Sequence, residues 1–203
     1  MEVCKNSLTV FGPKEDLQRF KLESKSETQV FSLNSLIEQP QELIEISKKG
    51  ILNPQTVQRF GAMNINSWRY KNWGCYKNSF NSRIVQERVV DQKVLRSMLQ
   101  ESIDSDKINK PENVALAKDI VDDAEFGMAI YFETDESPLQ AMKTISSKYP
   151  KVLFHFGFDS ETEGVCGWVG LRAGEIQGHA HYNDCLSQIK VNVSPFDEEL
   201  TSN

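Results

Sequence analysis

No Cys-x-x-Cys or His-Glu-x-x-His element occurs in the 203 residues, and histidine is scarce, at 3 residues. These absences remove the common zinc signatures. No apolar run approaches the roughly 18 residues that a membrane-spanning helix requires. The opening MEVCKNSLTV also lacks the apolar stretch of a secretory signal. The expectation is a cytoplasmic chain with no membrane partner, in which Cys4, Cys75, Cys166 and Cys185 are buried small apolar residues. Gly164, Gly167, Gly170 and Gly174 precede no helix start, which excludes a phosphate-cradling loop.

A further absence is local. Between Ile46 and Gln86 there is no Asp or Glu, whereas Lys48, Lys49, Arg59, Arg69, Lys71, Lys77 and Arg83 supply seven positive charges. The whole chain carries −6, so the remainder sums to −6 − 7 = −13. Such segregation predicts a positive patch on an acidic protein. With 39% hydrophobic and 26% charged residues the composition is that of a globular protein that needs neither disulfide nor metal to fold.

Periodicity predicts an α+β chain. Ser7–Gly12 alternates as a first strand, ended by Gly12-Pro13, and Lys14–Glu23 follows as a short amphipathic helix. Val30–Ile37 is a candidate second strand, residues 41–49 a short helix, and Ser47–Ser67 a long loop punctuated by Gly50, Pro54 and Gly61. Gln86–Ile103 has the best helical spacing; Asn109-Lys110-Pro111 breaks it and a second helix runs to about Asp123. Residues 86–123 are thus expected to be a helical insertion outside a two-layer core. Phe126–Thr134 reads as a strand, Ser137-Pro138 as the N-cap and first position of a helix reaching Tyr149, and Lys151–Asp159, Val165–Gly174 and Ile176–Tyr182 as strands. The tail from Ser194, with Asp197, Glu198 and Glu199, is expected to fray. This order suits one split β-α-β domain over residues 1–203, an antiparallel sheet of at least four strands with the helices at Lys14–Glu23 and Leu139–Tyr149 on one face.

Four stretches resemble the YubB ferredoxin-like family of phage- and plasmid-borne proteins: CKNSLTVFGPKEDLQRF, FSLNSLIEQPQEL, WRYKNWGCYKNSF, and the closing unit from YFETDESPLQAMKTISSKYP through FHFGFDSETEGVCGWVGLRAGEI. Where the family has Trp-Gly-Thr-Lys-Trp this chain has Trp73-Gly74-Cys75-Tyr76-Lys77, so the correspondence holds at Trp73, Gly74 and the nearby Asn78. The resemblance implies a ferredoxin-like fold and a mobile genetic element as context; it implies no catalytic residue and no cofactor.

The acid-free segment also holds Phe60, Trp68, Tyr70, Trp73, Tyr76 and Phe80. Aromatic faces that stack on bases, interleaved with cations that neutralise phosphate, are what a sequence-tolerant single-strand binder needs. The plainer reading makes Trp68 and Trp73 core anchors and leaves the cations solvated. The candidate macromolecule-binding residues are Arg59, Trp68, Arg69, Tyr70, Lys71, Trp73, Tyr76, Lys77, Asn78 and Arg83. His179, His181 and Cys185, joined by His155 or Cys166, are weighed as a metal set, and Cys166 with His155 as a nucleophile pair; neither has a recognised spacing, so no metal and no catalytic residue are expected. The favoured function is a non-catalytic interaction protein of a phage or plasmid that binds a host or element-encoded macromolecule, with a protein partner favoured and the blunting of a host defence as one role for it. The alternative is a single-stranded nucleic-acid binder using residues 59–83.

Overall fold

The computed structural model describes residues 3–50, 54–104, 111–160 and 164–183. Among these, β1 (Cys4–Gly12) alternates buried with open positions and leads through Pro13 into α1 (Lys14–Ser24). Leu17 and Phe20 are the buried face of α1, while Glu15 and Asp16 sit in its first turn, where carboxylates complement the helix dipole. Next come α2 (Leu33–Leu36), α3 (Gln41–Lys48), α4 (Pro54–Phe60) and α5 (Ile65–Trp73), then β2 (Phe80–Val89). A helical pair, α6 (Gln92–Asp104) and α7 (Pro111–Asp123), joins β2 to β3 (Phe126–Thr134). The described chain closes with α8 (Leu139–Lys148), β4 (Leu153–Ser160), β5 (Val165–Arg172) and β6 (Glu175–Asn183).

The strands form one antiparallel sheet in the order β2-β3-β1-β4-β5-β6. Helices α1 and α8 cover the same face of it. Phe20 of α1 meets Phe154 of β4 edge-on at 5.5 Å and Tyr149, just beyond α8, at 5.3 Å. Leu8, Val10, Phe132 and Phe156 from the sheet join Met142 and Ile145 of α8 in that core. The α6–α7 pair contributes no described residue to this cluster. The two helices are tied by Arg96 to Asp122, and Asp123 accepts from Arg172.

Several expectations need correction. Val30–Ile37 is not a strand: Ser32 caps the short α2, its hydroxyl accepting from Ser35 N. The supposed loop between Ser47 and Ser67 contains α4, with Pro54 as its first residue, and the start of α5. Gln86–Val89 belongs to strand β2 rather than to a helix. Two register shifts in the β2–β3 pairing break its alternation and leave Val85 and Val89 exposed, which disguised it. Pro138, not Ser137, occupies the N-cap position of α8. The acidic turn at 161–163 and the tail from Ser194 lie outside the described residues.

Candidate functional site

The candidate residues fall at three places. On α5, Asn64 makes a capping box with Ser67: its Oδ1 accepts from Ser67 N at 2.9 Å, and Ser67 Oγ accepts from Asn64 N at 3.2 Å. Gly74 ends the helix at φ 85°, the left-handed region glycine enters without penalty, and a Cβ there would lie 2.9 Å from the main-chain oxygen of Ser137. This geometry turns Trp68 and Trp73 inward, the latter fully buried. Their rings meet edge-on at 6.0 Å and Trp73 Nε1 donates to Ile37 O at 3.1 Å. A buried indole cannot stack on a ligand, so these two anchor the core.

Outside them, Tyr70 and Tyr76 are 50% and 40% exposed and stack on one another at 5.1 Å. Arg69 braces this corner: Nε donates to Gln39 Oε1 at 2.7 Å and Nη1 to Tyr76 O at 3.2 Å. Lys71 Nζ donates to Gly61 O at 3.3 Å. Asp135 accepts from the main-chain N–H groups of both Tyr76 and Lys77, each at 3.1 Å. Partial desolvation and the nearby Glu136 carboxylate push the Tyr76 phenol above its ordinary value. Burial, then the Asp135 charge, pushes the Cys75 thiol far up, so it is inert as a nucleophile. Asn78 works inward, taking Asn34 N at 3.1 Å on Oδ1 and giving Nδ2 to Ser32 Oγ at 3.0 Å.

The acid-free segment is therefore not acid-free in space. Arg59 pairs with Glu42 of α3, and Asp135 sits under the Tyr76–Lys77 turn. Arg83 is elsewhere altogether, on the sheet face that α1 and α8 leave uncovered, with its guanidinium carbon 4.2 Å from the centre of the Tyr131 ring.

His155 and Cys166 do lie on neighbouring strands, yet His155 faces Gly170 and Cys166 faces Asp159. Four residues along a strand separate them by roughly 13 Å. Cys166 is disulfide-bonded, which corrects its reading as a reduced thiol, while Cys4 and Cys75 are buried thiols. Cys166 and His155 therefore form no nucleophile pair. His179 and His181 are in register with Val169 and Gly167, and Cys185 lies outside the described residues. Among the described residues no three His, Cys, Asp or Glu side chains gather as metal ligands, and no helix is long and apolar enough to cross a membrane.

His155 stacks on Trp168 at 5.2 Å, and burial lowers its pKa from 6.5. The neutral ring is thus favoured in the fold. Its stabilising contribution is present above the unfolded value and is lost as pH falls through the depressed folded value. Denaturation midpoints followed from about pH 7.5 to about pH 5 are expected to drop, with a shallower drop in His155→Gln. An identical slope in the variant would remove His155 from this account.

No family model, curated protein or solved structure matches this chain.

Proposed function

We propose that the protein is a non-catalytic interaction protein that docks a protein partner on the Tyr70–Tyr76 corner. The observation that carries this reading is an exposed, mutually stacked tyrosine pair braced by Arg69 and set beside Asp135 and Glu136. Tyrosine and arginine dominate the centres of protein interfaces, because they bring large rigid area at low entropic cost. Mixed charge suits a protein surface better than a polyphosphate, which the neighbouring carboxylates repel.

The scaffold reading is a ferredoxin-like split β-α-β unit extended by β5 and β6. The strand order β2-β3-β1-β4 and two helices on one face support it. With the sequence resemblance to the YubB family, it favours a mobile-element protein whose partner belongs to a host defence.

The test is affinity capture from a host lysate treated with nuclease, comparing the wild-type chain with Tyr70→Ala/Tyr76→Ala. A protein retained by the first and weakened by about 30-fold or more in the second is expected, since hot-spot tyrosines are worth about 2 kcal/mol or more. Capture that survives the double change, or that vanishes with nuclease, would overturn the reading.

A further inference from the structure

The sheet face opposite α1 and α8 carries a cross-strand row given by the register: Arg83 opposite Tyr131, Tyr131 opposite Ser7, Ser7 opposite Gly157, and Gly157 opposite Trp168. Two partly buried aromatics thus flank a floor of small residues. Three strand spacings put Tyr131 and Trp168 roughly 14 Å apart. Gly157 keeps the floor low, since a Cβ there would lie 2.6 Å from Ser7 Oγ. His155, stacked on Trp168, widens the aromatic surface at that end.

Beside this row runs a groove of about 340 Å³ whose lining includes Arg83, Arg88, Tyr131 and His155. Among the described residues no Asp or Glu lines it, although the chain as a whole carries −6. Glu133 stands at its rim, accepting from the Tyr131 hydroxyl and from Asn81. Lys5 and Asp159 are paired by register beyond it. Arg83 and Arg88 thus stand at the Tyr131 end of the row.

We propose that this face binds single-stranded nucleic acid, with bases stacked at Tyr131 and Trp168 and the phosphate backbone held by Arg83. Stacking needs flat rings with an accessible face, and the neighbouring guanidinium both prolongs the Tyr131 stack and neutralises phosphate. The small residues between the rings let the strand lie against the sheet, and the hydroxyls of Ser7 and Thr9 offer hydrogen bonds to sugar or phosphate. This site is separate from the tyrosine corner, so either can fail without the other.

The experiment uses the full chain with fluorescein-labelled single-stranded DNA and RNA of mixed sequence, about 12 nucleotides long, at low salt. Binding that weakens with salt is expected. It should be accompanied by quenching of tryptophan fluorescence, because Trp68 and Trp73 are buried and Trp168 is the one partly open to solvent. Trp168→Leu should abolish the quench and weaken binding by roughly 5- to 150-fold. Arg83→Ala, on an exposed position, should lower the salt slope by about 0.7, while Tyr70→Ala/Tyr76→Ala should change neither. No binding at low salt, or binding indifferent to both changes in folded protein, would sink the proposal. So would a free mononucleotide binding as tightly as the oligonucleotide, which would make the groove a nucleotide pocket.

Discussion

Trp73→Ala is expected to lower stability by roughly 3–5 kcal/mol, the range for deleting a fully buried large aromatic. The indole is 0% exposed, meets Trp68 edge-on at 6.0 Å and satisfies Ile37 O through Nε1. Truncation therefore leaves a cavity, one lost aromatic contact and an unpaired main-chain carbonyl. Equilibrium denaturation should show a lower midpoint at an unchanged slope. Tyr70→Ala, a few residues away on the outside of the same helix, should cost less than about 1 kcal/mol. The pair separates anchor from contact surface: a Trp73→Ala protein as stable as the wild type, yet unable to bind its partner, would make the indole a binding residue instead.

Phe20→Ala is expected to cost a similar 3–5 kcal/mol, towards the upper end. Its ring is fully buried and meets three others: Tyr149 at 5.3 Å and 87°, Phe154 at 5.5 Å and 89°, and Phe31 at 6.2 Å and 47°. Each edge-on pair adds about 0.5–1.5 kcal/mol beyond the area removed from water. Phe20 also joins α1 to the sheet and to the end of α8, so no single neighbour can collapse into the space. Combined with Phe154→Ala, the loss should fall short of the sum of the two, because the same contact is deleted twice. A cost under about 2 kcal/mol, or strict additivity, would show that the helix layer is held by something other than this cluster.

Local pattern was enough wherever an element is half buried and regular. β1, with Cys4, Asn6, Leu8 and Val10 buried in alternation, β3 and β4 carry their two-residue period openly in the sequence. α8 shows Met142 and Ile145 at helical spacing and ends at Tyr149-Pro150. Strand β2 was not legible, because it lies at the sheet edge, is shifted twice in register and leaves Val85 and Val89 outside. α4 and α5 were hidden by Gly50, Pro54 and Gly61, which read as loop punctuation although Pro54 opens one helix and Gly61 follows its end.

The candidate site divides along the same line. That 41 residues hold seven cations and six aromatics is a property of the sequence alone. Only the tertiary structure decided that Trp68 and Trp73 face the core, that Tyr70 and Tyr76 face outward, and that Arg83 stands over Tyr131 on another face. The carboxylates of Glu42 and Asp135, remote in sequence, arrive beside Arg59 and the Tyr76–Lys77 turn through the packing of α3 and the end of β3. Hydrophobic period is set by neighbours along the chain, within a few residues, and can be read one segment at a time. Charge balance and ring exposure depend on groups that only folding brings within a few ångströms, where the Coulomb term and the loss of solvent become decisive.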